Sequence, residues 1–402
     1  MYFLIFLSEL FWKWSLMNIN IPEDILPDST FACGPSQGHP DIRQTPVCEM
    51  MFERSHRAPD VSCDGLYAEA LSGIRELLRV PDDYLVLFFM GGATPALDAA
   101  AWNLTDDSIS GYRFGAFSNL WGRKIASCIP GIPSAVYADL KEGETFPCAE
   151  LNLDASFIFL TPNETSTGVK IPGSMLEDIY SDSSEDSIIG WDCTSCAGGV
   201  LLPPDSYDVM VFSLQKCFGC PGGTSVMALS PAAVQRAEKI SAVRTIPHSL
   251  KLAGEKKAID RAVSKCQTVN TPSTPSIWMA NEAAKAMLDA GGLEAMDSLV
   301  QRHARVIWEW AERADYLSPF VADEQFRSDI TITLEIDGAI DAADISRALA
   351  ATGRPNLQDG VKKYSAVKGN LIRIACFPFV DFGGTEQFEK LTRTVDYIAE
   401  RL

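Results

Sequence analysis

From residue 84 onward, short apolar runs of strand length alternate with segments that have helical periodicity. Continuous apolar runs predict strands that are buried on both faces, and their alternation with helices predicts crossover connections. The runs that fit this description are 84–90, 155–160, 188–191, 209–214 and 224–229, and a helix is predicted to start over 95–103. The pattern therefore predicts an α/β fold with a largely parallel sheet between layers of helices.

The pattern changes near residue 290, where Asp289-Ala-Gly-Gly292 predicts a turn. The elements predicted beyond this turn are a long amphipathic helix over 293–315, strands over 329–336 and 371–376, and helices over 342–352 and 385–402. We expect a large domain over 45–290 and a small C-terminal α+β domain over 291–402. The segment 17–44 is expected to pack against the small domain.

Residues 1–16 are strongly apolar, and Lys13 is their only basic residue. A signal peptide carries positive charge before its apolar stretch, and a membrane-spanning helix needs about 20 apolar residues. Neither description fits this segment well. We expect an apolar N-terminal extension ahead of a second methionine, Met17, with a weak membrane anchor as the alternative.

Composition limits the classes of partner. The 402 residues, 47% of them hydrophobic, suffice for a sizeable core and two lobes. The net charge of −19 argues against nucleic acid and anionic membranes, because their phosphates would be repelled. The 11 cysteines are scattered and odd in number, which favours a reducing cytoplasm over a disulfide framework. We therefore expect a cytoplasmic protein that acts on small molecules.

Two strand ends carry an amine and a carboxylate. Lys216 lies between the apolar run that ends at Leu214 and a glycine-rich turn, and Asp192 follows the run over 188–191. In a parallel sheet both strand ends lie at one crevice. Pyridoxal phosphate requires such a pair: a lysine that holds its aldehyde as a Schiff base, and a carboxylate that keeps its ring nitrogen protonated.

Gly91-Gly-Ala-Thr94 follows the first predicted strand and opens a helix. Its backbone N–H groups and the Thr94 hydroxyl are suited to hold a phosphate at the positive end of that helix. Because glycines after a strand often form only a tight turn, this motif is weak alone. Lys216 and Asp192 downstream make a cofactor phosphate the simpler interpretation.

An ordered set of short motifs extends this interpretation. The motifs are Ser55-His-Arg57, Gly91-Gly-Ala-Thr94, Asn163-Glu-Thr165, Asp192, Gln215-Lys216, Asn270-Thr-Pro272 and Leu371-Ile-Arg373. Together they resemble the phosphoserine aminotransferase family, in the class V group of fold-type-I pyridoxal-phosphate enzymes. The resemblance extends from about Ile21 to the C-terminus and implies a mostly parallel sheet of the seven-stranded type.

The resemblance implies a role for each cofactor residue. Lys216 would hold the cofactor and shuttle a proton between two carbons, and Asp192 would pair with the ring nitrogen. Thr165 would bond the ring oxygen, and Phe117 would stack on the ring where many relatives have a tryptophan. The residues expected at the cofactor phosphate are Ala93, Thr94 and Gln215, with Asn270 and Thr271 from a second subunit. The resemblance therefore implies a homodimer with shared active sites.

The substrate residues follow from the same resemblance. Arg373 is expected to bind the substrate carboxylate, because a planar guanidinium matches a carboxylate bidentately. His56 and Arg57 are expected at the substrate phosphate. Many relatives add a His-Arg pair between residues 358 and 369, where this chain has three lysines, so Lys363 is expected to contribute.

The implied reaction moves an amino group between glutamate and 3-phosphohydroxypyruvate, giving phosphoserine and 2-oxoglutarate for serine biosynthesis. Some relatives also act in vitamin B6 synthesis. Other class V enzymes stay open as alternatives, namely an alanine-glyoxylate-type aminotransferase or a cysteine desulfurase. Against the desulfurase, Gln215 stands where that enzyme typically has a histidine.

Two alternatives are not enzymes. Cys193-x-x-Cys196 and Cys217-x-x-Cys220 have zinc-ribbon spacing. They enclose an apolar strand rather than a polar hairpin, so we expect buried thiols and no metal site. A catalytically silent scaffold is the other alternative, and the presence of Lys216, Asp192 and Arg373 together argues against it.

Overall fold

The computed structural model describes residues 19–34, 36–44, 57–58, 61–130, 132, 134–139 and 150–402. His56 and the apolar extension over residues 1–16 lie outside this part of the chain, and the expectations about them stay predictions. Among the described residues, no helix is both long enough and apolar enough to cross a membrane.

The first part of the chain supplies the large sheet and its helices. Its helices are α1 (Pro40–Gln44), α2 (Leu66–Leu78), α3 (Ala93–Leu104), α4 (Ala116–Cys128), α5 (Gly173–Asp182), α6 (Pro231–Val243), α7 (Ala258–Lys265) and α8 (Thr274–Asp289). Its strands are β1 (Leu85–Met90), β2 (Ser108–Arg113), β3 (Ser134–Asp139), β4 (Phe157–Leu160), β5 (Asn163–Glu164), β6 (Val169–Lys170), β7 (Ile188–Asp192), β8 (Val209–Ser213) and β9 (Thr224–Leu229).

Seven of these strands form one sheet, in the order β1-β9-β8-β7-β4-β2-β3. Strand β9 is antiparallel to both of its neighbours, and the other pairs are parallel. The short strands β5 and β6 form a separate hairpin. The carboxyl ends of β4, β7 and β8 therefore meet at one edge of the sheet, where ligands of such sheets bind.

Both faces of the large sheet are buried, as the continuous apolar runs predict. In β1, Val86 and Phe88 belong to one hydrophobic cluster, and Leu87 and Phe89 belong to the other. Successive side chains of a strand point to opposite faces, so each apolar run supplies two cores. Helices cover both faces, and the predicted fold class is confirmed.

The later part of the chain forms a smaller unit. Helix α9 (Gly292–Arg313) leads to β10 (Leu317–Pro319), β11 (Thr331–Ile336), α10 (Ala342–Ala351), β12 (Leu371–Ala375) and α11 (Glu386–Ala399). The three strands form an antiparallel sheet in the order β10-β11-β12. Gly291, which precedes α9, has φ +110°, the left-handed region that glycine adopts without strain. The domain boundary at residue 290 stays a prediction.

The segment before α1 contacts this smaller unit at several points. Ser29 Oγ donates to the carbonyl of Val380 at 2.6 Å, and Thr394 Oγ1 donates to the carbonyl of Ile25 at 2.6 Å. The backbone N–H of Ala375, the last residue of β12, donates to the carbonyl of Phe31 at 3.0 Å. The N-terminal segment is thereby held along β12 and α11.

Candidate active site

A cavity of about 280 Å³ lies at the carboxyl ends of β1, β4, β7 and β8. Strands β4, β7 and β8 are neighbours, β1 lies beyond the antiparallel β9, and the loops that follow these four strands supply cavity walls. The sequence-predicted residues that line it are Ala93, Thr94, Phe117, Thr165, Asp192, Gln215 and Lys216. The structure therefore brings together residues from widely separated parts of the chain.

The turn after β1 prepares one wall of the cavity for an anion. Gly91 and Gly92 have φ angles of +109° and +77°, which residues with side chains rarely adopt. This turn starts α3 at Ala93, so the N–H groups of its first turn have no partner within the helix. These donors, with the Thr94 hydroxyl, form the kind of site that binds phosphate.

Asp192 ends β7 as a buried carboxylate. The backbone N–H of Thr194 donates to its Oδ1 at 3.1 Å. Burial raises the pKa of Asp192 from 3.8 to about 6, hydrogen bonding to Thr194 opposes this shift, and the nearby charge of Glu164 adds to it. A positive charge placed in the cavity would relieve this penalty.

Lys216 lies two residues beyond the last residue of the predicted strand, Leu214, and its side chain is buried. Burial lowers the pKa of Lys216, and the neighbouring guanidinium of Arg373 acts in the same direction against the opposing effects of Cys33 and Asp192. Lys216 Nζ donates to the carbonyl oxygen of Cys33. A lysine whose pKa is lowered is better able to serve as a nucleophile and as a base.

Phe117 is positioned by a second buried carboxylate, Glu164. Glu164 Oε2 accepts from the backbone N–H groups of Phe117 at 3.1 Å and of Ser118 at 2.8 Å, at the N-terminus of α4. Its Oε1 accepts from Ser166 N at 3.0 Å and from Ser166 Oγ at 2.7 Å. A carboxylate at a helix N-terminus is electrostatically favourable, and here it holds the Phe117 backbone at the cavity.

Arg373, in the middle of β12, connects the smaller unit to the cavity. Its Nη1 donates to the carbonyl of Thr165 at 2.7 Å. The guanidinium carbon lies 5.6 Å from the centroid of the Tyr364 ring, whose centroid lies 5.2 Å from that of Phe117. Within the described part of the chain, Arg373 Nε is buried and has no hydrogen-bond partner. Arg373 does not itself line the cavity, and it reaches the cavity wall through its bond to Thr165.

Other predicted site residues lie away from this cavity. Arg57, Asn270 and Thr271 are exposed, and the Arg57 carbonyl accepts from Gln267 Nε2 at 3.4 Å, so these residues share one surface region. Lys363 Nζ donates to the carbonyl of Gly369 at 2.6 Å and lines a separate cavity of about 490 Å³ beside α10. Its role at the substrate phosphate stays a prediction, one that requires the side chain to leave this contact.

Three of the four thiols of the zinc-ribbon alternative contact backbone carbonyls. Cys196 Sγ lies 3.6 Å from the Cys193 carbonyl, Cys217 Sγ 3.9 Å from the Ser195 carbonyl, and Cys220 Sγ 3.4 Å from that of Phe218. In the described ranges, no group of three or more His, Cys, Asp or Glu side chains is arranged to hold a metal ion. The structure therefore gives the zinc alternative no support.

The donor set of the cavity fits pyridoxal phosphate. A phosphate site at α3, a buried carboxylate and a buried amine line one space. Several polar atoms that belong to lining residues, Thr161 Oγ1 and Asn163 Oδ1 among them, are buried without a partner among the described residues. Buried polar groups normally have partners, so this cavity is built for a polar ligand. The group would be held by Thr94 and Gln215 at its phosphate, by Asp192 at its ring nitrogen, and by Lys216.

Comparison with known proteins agrees with this geometry. The sequence matches the profile of the Aminotransferase class-V family over residues 53–354. The chain therefore belongs to this family of pyridoxal-phosphate-dependent transaminases.

The chain is also similar to individual proteins. A phosphoserine aminotransferase of Corynebacterium glutamicum is 34% identical over 94% of this chain and 97% of its own length. The crystal structure of a phosphoserine aminotransferase from Cytophaga hutchinsonii has a TM-score of 0.78 at 25% identity, over 90% of this chain and 96% of that one. An alanine–glyoxylate aminotransferase structure from Nostoc has a TM-score of 0.76 at 20% identity, over 95% and 96%. The similarity to the Nostoc structure shows only that the two proteins share a fold.

Sequence reasoning missed three features of the site. It assigned no role to Glu164, to Tyr364 or to the Cys33 carbonyl. The first could have been found from the motifs themselves, because Glu164 lies in Asn163-Glu-Thr165 and binds the backbone of the Gly115-Ala-Phe-Ser118 motif. No sequence signal identifies the other two. The contact of Cys33 with Lys216 and the contact of Tyr364 with Phe117 each join segments more than 180 residues apart.

We expect Asp192 to make the cofactor-free protein less stable as the pH rises from about 4 to about 6. Its folded-state pKa of about 6 lies above 3.8, so the folded protein binds the proton more tightly, and this contribution is lost as the pH rises through the folded pKa. This contribution to the free energy of unfolding amounts to about 3 kcal/mol. Urea unfolding of the parent and of Asp192→Asn across this range should show a steeper fall for the parent.

The exposed residue Asp154 provides a matched control, Asp154→Asn, whose pH dependence should follow that of the parent. Equal slopes for the parent and Asp192→Asn would contradict the raised pKa.

We expect the Tyr364 ring to orient Arg373 and cover Phe117. Tyr364→Ala should raise KM for the amino-acid substrate by about fivefold, as loss of a cation–π contact at a partly exposed site would do, with a smaller change in kcat. Tyr364→Phe keeps the ring and should stay close to the parent. Steady-state kinetics of the three proteins test this, and equal losses in the Phe and Ala variants would show that the hydroxyl matters instead.

Proposed function

We propose that this chain is a phosphoserine aminotransferase, which transfers the amino group between glutamate and 3-phosphohydroxypyruvate in serine biosynthesis. The observation that carries the proposal is that Lys216 and Asp192 line one cavity, with Arg373 bonded to the carbonyl of Thr165 in its wall. It occurs in a chain that is 34% identical, over nearly its whole length, to a relative with that name. The fold alone does not decide the substrate, because an alanine–glyoxylate aminotransferase has it too.

When bound, pyridoxal phosphate supplies a protonated ring that takes up the electron pair left at the substrate's α-carbon. Asp192 would accept a hydrogen bond from the ring nitrogen and so favour its protonated form. Lys216 Nζ, whose pKa is lowered, would take the proton from the α-carbon and return it to the second carbon of the 1,3-shift. Arg373 holds the substrate carboxylate, which fixes the α-carbon against Lys216. Phe117 lines the cavity, and the Tyr364 ring packs against it.

Because the chain as a whole has a net charge of −19, the substrate phosphate requires positively charged side chains close to it. We assign His56 and Arg57 to this role, with Lys363 as a further candidate. Arg57 is exposed and lies away from the cavity of its own subunit. Its assignment therefore requires that a second subunit present it.

The proposal accordingly includes a homodimer with shared active sites. Asn270 and Thr271 are also exposed, and Gln267, just before them, contacts Arg57. One surface region thus carries Arg57 together with Asn270 and Thr271, the two residues that the family resemblance assigns to the opposite subunit. The proposal also places the protein in the cytoplasm, where thiols such as the free Cys193 and Cys217 stay reduced.

We expect the protein to prefer phosphoserine over serine and alanine as amino donor with 2-oxoglutarate. The charge-assisted bonds to the phosphate should favour it by about ten- to a hundredfold in kcat/KM. Arg57→Ala should lose most of this preference while the visible absorption of the bound cofactor stays unchanged. Lys216→Ala is the inactive control. In the parent protein, borohydride should attach the cofactor to the peptide that contains Lys216.

A parent enzyme that prefers serine or alanine would remove the substrate assignment. It would leave a class V aminotransferase of different specificity.

We expect hybrid dimers to recover activity. Lys216→Ala inactivates one site, and the double variant Asn270→Ala, Thr271→Ala weakens the phosphate contact that each subunit gives to the other. Mixing the two inactive proteins creates one intact site, because Lys216 and the pair Asn270 and Thr271 then come from different subunits. Activity should rise with the fraction of mixed dimers, measured with two affinity tags, and mixed dimers without activity would contradict shared sites.

A further inference from the structure

The N-terminal segment that we call the strap, residues 29–34 and 36–38, passes from the smaller unit to the loop that carries Lys216. On one side, Gln37 Nε2 donates to the carbonyl of Phe379 at 2.6 Å, and Phe31 accepts from the backbone of β12. On the other side, Ser36 N donates to the carbonyl of Gln215 at 2.9 Å, and Ser36 Oγ donates to the Lys216 carbonyl. The strap is therefore fixed relative to the Lys216 backbone.

The Lys216 side chain is in direct contact with the strap. Its Nζ donates to the carbonyl oxygen of Cys33. Gly34, the next residue, has φ +123°, and a Cβ there would lie 2.8 Å from Lys216 Cε and 2.9 Å from Cδ. Real Cβ atoms do not approach so closely, so the Lys216 side chain occupies the space that a larger residue at position 34 would need.

Transamination makes a demand on this lysine. Each half-reaction requires the substrate amine to replace Lys216 on the cofactor, so the lysine amine is free for part of every turnover. During that time it must stay close to the α-carbon, because it is the group that moves the proton. An amine on a long, flexible side chain keeps such a position only if an acceptor holds it.

We propose that the Cys33 carbonyl and the space left by Gly34 form a docking place that holds the free amine of Lys216 beside the cavity while substrate occupies the cofactor. This inference rests on the proposed transamination. Cys33 and Gly34 act as positioning residues, through Lys216.

A carbonyl acceptor suits this role better than a carboxylate. It accepts a hydrogen bond from the charged and from the neutral amine, whereas a carboxylate would favour the charged form alone. Burial and Arg373 can then keep the pKa of Lys216 lowered, so that the docked amine is able to take up a proton. The interaction comes from the backbone, which explains why no side-chain motif reveals it.

The experiment compares the cofactor-free parent with Gly34→Ala and with a matched control, Gly383→Ala. Gly383 also has a positive φ, +100°, but among the described residues no atom comes within 4 Å of a Cβ placed there, so this variant reproduces the backbone strain without the contact. Trace acetic anhydride labels each lysine in proportion to its free, accessible amine, and mass spectrometry reads the labelling of Lys216 against that of Lys170 in the same sample.

We expect the labelling of Lys216 to rise about tenfold in Gly34→Ala, the factor that corresponds to loss of one net hydrogen bond, because the displaced amine enters the open cavity. Gly383→Ala should match the parent. In the cofactor-loaded proteins, Gly34→Ala should still show the visible band of the bound cofactor, and its single half-reaction with phosphoserine should slow by a similar factor at saturating substrate. Equal labelling of Lys216 in all three proteins would overturn the proposal.

If Gly34→Ala does not fold, a measurement on the parent protein tests the docking place. The secondary amine made by reducing a mixture of pyridoxal phosphate and phosphoserine mimics substrate on the cofactor and leaves Lys216 free. A crystal structure of this complex should show Lys216 Nζ within hydrogen-bond distance of the Cys33 carbonyl. An amine found elsewhere would refute the docking place, whereas failure of the compound to bind would contradict the proposed function and, with it, the docking place that rests on it.

Discussion

The burial of charge at the carboxyl end of a parallel sheet is the constraint on which the rest of this structure depends. Strands β7 and β8 are neighbours, with Asp192 paired in register with Val211, so a carboxylate and the loop bearing Lys216 meet inside the protein. Burial penalises both charges, which raises the pKa of Asp192 and lowers that of Lys216. Such a pair is costly to fold unless a ligand or a partner compensates for it. The cavity is the place where that compensation occurs, and the same penalty tunes both groups for proton chemistry.

Two buried carboxylates, those of Glu164 and Asp192, lie close together at the cavity and have different roles. Glu164 is satisfied within the protein, since Phe117, Ser118 and Ser166 donate to it. Its role is to fix the start of α4 and with it the aromatic ring at the cavity. Within the described part of the chain, Asp192 accepts a hydrogen bond from Thr194 alone, which leaves it capacity to accept from a ligand. The hydrogen-bond partners, rather than the residue type, separate the structural carboxylate from the chemical one.

The sequence was most informative where the chain is uniformly apolar. Strand β9 matches its predicted ends, and β8 differs by one residue, because both are buried on both faces. Strand β2 was missed, because Ser108, Ser110 and Gly111 do not have the composition of a strand. Its small residues are required by packing, since a Cβ at Gly111 would overlap the Phe159 ring.

Among the site residues, those at strand ends could be predicted from the alternation of strands and helices. Contacts of Tyr364 and Cys33 could not, because tertiary packing alone brings distant segments together.

Strand β12 has a part in both halves of the site. Arg373, in its centre, donates to the Thr165 carbonyl, and Ala375, at its end, donates to Phe31 of the strap that reaches Lys216. A displacement of the smaller unit would therefore move the guanidinium and the Cys33 carbonyl together, relative to an Asp192 that the large sheet holds in place. The groups that we assign to the substrate carboxylate and to the free lysine amine thus share one support. Because the α-carbon must lie against the lysine for the proton to move, a common support keeps binding and proton transfer in the same geometry.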